Sequence, residues 1–403
     1  MTGFAGNPMI LTQSNEKKEL FAVGSYFVFW GIQMLCKGFG LENGGAYKLL
    51  SLLSLLFLGI KLLLTEWTFR DLTLSCCIVF LGFMTWLMSD MLPMLLLALA
   101  IVGAKGVPIR KLLYVTFYIR GISFLIVVSG SFFGLFPENG SQYREIFDVF
   151  SFVFQGEGRV HVLRRFLGFS TANLASVHLL IILSLFIYVN DNKLGVVHYL
   201  LMILVNAILY RFTGSRTSMA LVYFLIALSA AMRFRALRRP IYAAGVWAFF
   251  GIFLFSVLSA LLFVQSDQPQ TAWENICQKL DFLLSGRLGY NAYAIRTFSV
   301  LLYGGKFQNN WSQLDNAYLN FWLRFGFVNC ALFLLACTLH LRECKRLRRH
   351  APFLIFVVFA VLGYMEMSMY AITMNVFLLE LSSFLFPQNG RKYPKEHVFK
   401  KCV

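Results

Sequence analysis

The chain has 403 residues, 58% of them hydrophobic and 14% charged, with a mean hydropathy of +0.68. Soluble domains carry about a quarter charged residues, so this composition excludes a soluble enzyme and leaves no room for a separate soluble catalytic domain. The formal net charge of +17 would suit nucleic acid in a soluble protein. In a membrane chain Lys and Arg collect in cytoplasmic loops, and no nucleic-acid partner is expected.

A transmembrane helix takes about 20 apolar residues. Hydropathy predicts about 12 spans, over roughly 19–37, 47–65, 72–89, 91–104, 111–136, 170–190, 194–212, 217–233, 240–264, 316–339, 352–366 and 370–387. Residues 1–18 are polar and show no cleavable signal. The fourth span is short and ends at Gly103, before Lys105 and Gly106. Only Tyr364 to Met367 separate the last two, so a single bent helix is the alternative there. The expected fold is an all-α polytopic membrane protein, one integral membrane domain over 1–403.

With the N-terminus placed in the cytoplasm, every strongly basic short connection falls on the same side. These are Lys105 to Lys111, Arg233 to Arg239 and Lys345 to Arg349, followed by the tail with Arg391, Lys392, Lys395, Lys400 and Lys401. This asymmetry is what the positive-inside rule demands, and it places both termini in the cytoplasm. The two long loops, 137–169 and 265–315, then lie outside. Long loops in a compact domain usually carry function.

The most polar stretch within the membrane portion is Leu283 to Gly326. It holds a Ser-Gly-Arg turn at Arg287, a Tyr-Gly-Gly break at Tyr303 to Gly305, and the pair Asp315-Asn316 before an apolar helix. Residues Leu288 to Leu302 read as a re-entrant or interfacial helix. Arginines mark the other outer segments: Arg164 and Arg165 before the sixth span, and Arg211 and Arg216 before the eighth. A guanidinium fork binds phosphate bidentately and stays charged at any working pH. Ser215 and Thr217 flank Arg216 at a helix start, where anions are favoured. Snorkelling to lipid headgroups explains one such arginine; three clusters beside small polar residues point to a polyanionic ligand.

Acidic groups are fewer. Asp315 is a candidate for catalysis or for the N-cap of its helix. Glu366 interrupts an apolar run, and an ionisable residue at membrane depth is a functional candidate by default. A buried Arg120–Glu380 pair is expected, and Glu366 is one option as partner of Arg324. Aromatic residues Trp273, Tyr290, Tyr293, Tyr303 and Trp311 alternate with Asn291, Gln308, Asn309, Asn310 and Gln313 in the large loop, a pattern that suits sugar rings.

Other chemistries lack their signatures. There is no HExxH or carboxylate cluster for a metal, no P-loop or GxGxxG, and no G-x-S-x-G. His161 is the one histidine placed near the outer arginines. Neither a metal nor a cofactor is expected. The eight cysteines form no CxxC pair; Cys76, Cys77, Cys330 and Cys337 read as small hydrophobes, and Cys277 stands alone in the large loop.

The order RRFLGFSTAN, TGSRTSM, LLSGRLGYNAY, LLYGGKF and LDNAYLNFWLRFGF, followed by Glu366 and Asn375, resembles the Wzy-type polymerases of bacterial O-antigens, capsules and exopolysaccharides, within the O-antigen ligase and polymerase superfamily. The resemblance covers roughly 160–385. It implies a GT-C-like membrane glycosyltransferase in the bacterial cytoplasmic membrane that joins repeat units carried on undecaprenyl pyrophosphate. Arg164 or Arg165, with Arg211, Arg216 and Arg287, would bind pyrophosphate and glycan together with Asn173, Asn316 and Tyr318. Arg287 would also stabilise developing charge, with Asp315 or Glu366 as the base. Lipid-linked oligosaccharides and membrane lipid are the implied partners, with a chain-length regulator and a flippase as candidates.

Two alternatives stand beside this one. An O-antigen-type ligase would transfer lipid-linked polysaccharide to an acceptor. That branch carries a histidine in its large loop just before the corresponding helix, where this chain has Asp315-Asn316. A lipid-linked oligosaccharide transporter or flippase is the alternative of a different class. Transporters usually show internal repeats and broken helices at the midplane; no repeat is found here.

Overall fold

The computed structural model describes residues 8–41, 44–136, 141–147, 159–265, 271–307 and 314–387. The described chain is overwhelmingly helical. Its helices are α1 (Pro8–Gly38), α2 (Gly45–Leu64), α3 (Phe69–Ser89), α4 (Pro93–Gly103), α5 (Ile109–Phe132), α6 (Ala172–Asn190), α7 (Val196–Thr213) and α8 (Arg216–Ala231), then α9 (Arg235–Gly245), α10 (Ala248–Leu262), α11 (Ala272–Leu283), α12 (Arg287–Thr297), α13 (Ala317–Arg324), α14 (Phe327–Arg346), α15 (His350–Met365) and α16 (Glu380–Leu385). Among the described residues, seven helices are long and apolar enough to cross a membrane. The count is eight if α9 and α10, bent by 53° from one another, form one span. Shorter apolar helices cover Pro93–Gly103, Arg216–Ala231, His350–Met365 and Val376–Leu385.

An antiparallel hairpin departs from the all-helical expectation. Strand β1 (Ser141–Phe147) pairs with β2 (Arg159–Arg165), Ser141 opposite Arg165. The run Val160-His161-Val162 is rich in β-branched residues, which favour a pleated strand.

Three expected spans are interrupted. The ninth contains Pro240, which cannot supply a helical N–H, and bends after Gly245. The tenth breaks at Gly326, whose φ of +91° is left-handed and open to glycine without strain. There the segment 301–305 lies along the break: Phe327 N–H donates to the Leu301 carbonyl at 2.9 Å, and Gly305 N–H to the Arg324 carbonyl at 3.0 Å. These bonds satisfy polar groups that a helix end leaves open. Gly304, with φ +92°, is required at the same crossing, because a Cβ there would collide with the Arg324 carbonyl. The twelfth is not one helix. After Glu366 the chain makes short 3₁₀ turns at Met367–Met369 and Val376–Leu379 before α16. Asn375 Nδ2 holds this break by donating to the Met369 carbonyl at 2.8 Å.

Helix α15 is the hub. Nearly every side chain from Ala351 to Tyr364 is buried, as expected of a helix that is apolar all round. It packs against α6, α8, α10, α13 and α14. By contrast α2, α3 and α7 present rows of exposed leucines and valines, including Leu49, Leu52, Leu56, Val196, Leu200 and Leu204. Polar side chains tie the N-terminal helices to each other and to the remainder. Trp30 Nε1 donates to Thr116 Oγ1 at 2.8 Å, Gln33 Nε2 to Ser54 Oγ at 2.7 Å, and Asn329 Nδ2 to Thr85 Oγ1 at 2.7 Å. Interhelical bonds of this kind contribute about 0.6 kcal/mol each in a membrane.

Two expected pairings are replaced. Glu380 binds Arg349, with Nη2 2.9 Å from both carboxylate oxygens, and accepts the Tyr188 hydroxyl. Arg120 donates to the Thr373 carbonyl instead of pairing with Glu380. Arg324 lies over the Phe307 ring at 5.1 Å, while Glu366 is taken by Arg287. For Glu380, the break after Glu366 turns the last apolar segment out of a continuous-helix register.

Candidate active site

Five chain turns converge on one cavity of about 210 Å³. Strand β2 ends at Arg164-Arg165. Successive strand residues face opposite ways, so Arg164 turns inward, where it is buried, and Arg165 stays exposed. Thr171 caps α6, its hydroxyl accepting Leu174 N–H at 3.2 Å, and thereby sets Asn173 in the first helical turn. Gly214, in a left-handed conformation, ends α7 so that Ser215 and Arg216 can open α8. Ser285 and Gly286 are both left-handed (φ +60° and +80°) and lead into Arg287, the first residue of α12. Glu366 is the C-cap of α15 and lies outside the helix.

A continuous polar chain joins these groups. Arg164 Nε donates to the Thr213 carbonyl at 2.8 Å, and its Nη2 to Asn173 Oδ1 at 2.5 Å. Asn173 Nδ2 donates to Glu366 Oε1 at 3.3 Å. Arg287 Nη2 then bridges two carboxylates, 3.4 Å from Glu366 Oε1 and 3.2 Å from Asp315 Oδ2. Arg216 Nη2 donates to Ser285 Oγ at 3.2 Å from across the cavity. The left-handed φ of Ser285 is uncommon for a side-chain-bearing residue; it brings this hydroxyl to Arg216.

Burial pushes the Glu366 carboxyl up to about 7, with the negative charge of Asp315 adding to the rise and Arg287 and Arg164 opposing it. The result is a carboxylate that can take or give a proton near neutral pH. Asp315 is far more open, at 44% side-chain exposure against 16% for Glu366. Both carboxylates face a guanidinium, and among the described residues no three His, Cys, Asp or Glu side chains gather as a metal set.

Of the residues singled out in the sequence, the structure brings Arg164, Arg216, Arg287, Asn173, Glu366 and Asp315 together. Ser215 and Thr217 line the cavity as their spacing suggested. Arg165 does not line it. Neither does Arg211, which is exposed in the last turn of α7. Tyr318 is not a ligand-facing residue: it is buried in the core, and its hydroxyl donates to the Ala360 carbonyl at 2.8 Å. Asn316 is the helix cap, its Oδ1 accepting from Tyr318 N–H at 3.0 Å and Leu319 N–H at 3.2 Å. That settles the capping alternative for Asp315 in favour of its neighbour. Tyr290, Tyr293 and Tyr303 are exposed, outside the cavity lining. Trp311, Gln308, Asn309, Asn310 and Gln313 lie outside the described residues, as does the side chain of His161. Ser285 and the Thr213 carbonyl are the contributors that sequence reasoning missed; the Ser-Gly-Arg turn was the available signal for the first.

Compared with protein-family models, with curated proteins and with solved structures, the chain finds no match.

Proposed function

We propose that the chain is a membrane glycosyltransferase of the polysaccharide-polymerase type. It joins oligosaccharide repeat units carried on undecaprenyl pyrophosphate at the outer face of the bacterial cytoplasmic membrane. The observation that carries this reading is the convergence of Arg164, Arg216 and Arg287, from three segments far apart in sequence, on one cavity beside Glu366. A second support is the resemblance of the motifs holding those arginines to the Wzy-type pattern. In this reading the long and the shorter apolar helices together make twelve crossings of GT-C-like type, with both termini in the cytoplasm.

The chemistry follows from the residues. The guanidinium groups hold the donor pyrophosphate by charge-assisted hydrogen bonds. Glu366, in its ionised form, accepts the proton of the acceptor sugar hydroxyl. That oxygen forms the new bond to C1 of the donor sugar. The old C1–O bond breaks, and its electron pair leaves with the lipid pyrophosphate. Negative charge grows on the departing oxygen, and donors already fixed around it stabilise the transition state most. Arg287, between Glu366 and Asp315, couples the two halves of the reaction. Arg164 also positions Glu366 through Asn173.

The test is a chromosomal deletion complemented with Arg216→Ala or Arg287→Ala. Each variant, at normal protein level, is expected to lose long-chain polymer and accumulate single-repeat glycan. Normal polymer from both refutes the assignment of the arginines. A deletion that leaves long polymer intact on its lipid carrier but unattached to an acceptor identifies a ligase instead.

A further inference from the structure

Helix α9 has two unlike faces, both largely open. Arg235, Arg238, Arg239 and Tyr242 recur at the i, i+3, i+4, i+7 spacing that makes one helical stripe. Leu237, Pro240, Ile241 and Ala244 make the opposite stripe at the same spacing. Arg235 and Arg239 are exposed, as are Leu237, Pro240 and Ala244. Phe234 just before the helix and Trp247 just after it are exposed as well. Two contacts bring a second basic segment beside this helix. Tyr242 Oη lies 2.7 Å from His350 Nδ1, and its ring meets Phe353 edge-on at 4.5 Å, which joins α9 to the start of α15. The Arg342 guanidinium lies over the Trp247 ring at 5.0 Å, which joins the turn after α9 to the last turns of α14. Between Arg342 and His350 the chain carries Lys345, Arg346 and Arg348, all exposed. Arg346 pairs with Glu343 at 2.5 Å. The side chains of Arg235, Arg239, Lys345 and Arg348 make no hydrogen bond or ion pair with another described residue.

The neighbouring helix fixes the depth of this patch. Phe250, Leu254, Leu258 and Leu261 of α10 form one exposed apolar strip, which in a membrane chain faces hydrocarbon, and Trp247 stands at its end. Tryptophan and arginine, each with an apolar body and a polar tip, collect at headgroup level. The 53° bend between α9 and α10 turns α9 out of the line of the strip at that level. A helix with arginines on one face and exposed apolar side chains on the other lies in the membrane surface. We propose that α9 is such a helix and that, with the end of α14, it binds the headgroups of anionic phospholipids. The four basic side chains that lack a protein partner take the phosphodiester by charge-assisted hydrogen bonds. The acyl chains of the same lipid lie against Leu237, Pro240 and Trp247. A zwitterionic headgroup brings its own ammonium, which offsets the attraction. Each basic residue near an anionic lipid surface is worth about fivefold in affinity.

The test is tryptophan quenching in the full-length protein, reconstituted in vesicles of phosphatidylglycerol and phosphatidylcholine in equal parts. Bromine on the acyl chains of one lipid or the other quenches a tryptophan it touches. The Trp247 signal is the difference between wild type and Trp247→Phe, which keeps a ring beneath Arg342. Brominated phosphatidylglycerol is expected to quench Trp247 more than brominated phosphatidylcholine does, with a relative binding constant of about 25 at low salt, the worth of two basic residues. That preference should shrink towards one as salt rises to about 1 M. Arg235→Gln with Arg239→Gln should bring it below about five, whereas Lys17→Gln with Lys18→Gln, on α1, should leave it within about twofold of wild type. Equal quenching by the two labels overturns the proposal, as does an equal loss of preference in the two double variants, which would be diffuse surface charge. Absence of Trp247 quenching by either lipid overturns the placement of α9 in the membrane surface. None of these outcomes depends on the glycosyltransferase reading.

Discussion

Replacing Glu366 with Gln separates burial from catalysis at the site. Gln has the shape of the protonated carboxyl and can still accept from Asn173 and Arg287. Burial pushes Glu366 from 4.5 up to about 7, and at about 1.4 kcal/mol per pKa unit that gap corresponds to ~3 kcal/mol. Below about pH 4.5 the native and unfolded chains both hold the proton, and wild type and variant are equally stable. Between there and pH 7 the unfolded chain releases a proton that the native protein keeps, so wild-type stability falls as pH rises. Above pH 7 it levels off about 3 kcal/mol below the variant. Glu366→Gln is therefore expected to unfold several degrees later than wild type at pH 8 and together with it at pH 4.5, measured by thermal unfolding in detergent. On the proposed function, polymer synthesis should fall by about 10²–10⁴, the usual contribution of a general base. Wild-type activity should rise with pH through about 7, as the carboxyl ionises. A variant less stable than wild type at pH 8 refutes the reasoning, because it would mean that the pairing with Arg287 outweighs the cost of burying the charge.

Asn316→Ala removes the side-chain acceptor of Tyr318 and Leu319 N–H and should cost about 1 kcal/mol in denaturant titrations; Asp315→Ala, which caps nothing, should leave stability within about 0.5 kcal/mol. Gly304→Ala places a Cβ against the Arg324 carbonyl at a left-handed position and should destabilise by more than about 3 kcal/mol, read as loss of folded protein in detergent extracts. Arg349→Met leaves Glu380 buried with the Tyr188 hydroxyl as its remaining partner among the described residues and should cost about 3–5 kcal/mol. Arg349→Met paired with Glu380→Met should recover much of that loss, since replacing both members of a buried pair removes the stranded charge.

The sequence by itself determined the membrane class and most helix positions, because twenty apolar residues in a row have few other outcomes. It also picked out most of the residues that meet at the cavity. Arg216 and Arg287 were legible because arginine beside glycine and serine is out of place in an apolar chain. Glu366 was legible because an acid in an apolar run must have a use. What it left open were choices between neighbours, Arg164 against Arg165 and Asp315 against Asn316. The alternation of β2 decided the first, and the cap geometry at the start of α13 decided the second. Partners across long separations were decided by the tertiary structure alone. Glu380 takes Arg349 and not Arg120, and Glu366 takes Arg287 and not Arg324. For Glu380 the physical reason lies in the break after Glu366, and for Arg324 in the break at Gly326, where its helix ends and its guanidinium lies over Phe307. Hydropathy averages over a window and reads each as continuous helix, yet each ends one helix and starts the next segment in a new direction. Ion pairing depends on those directions, and only packing fixes them.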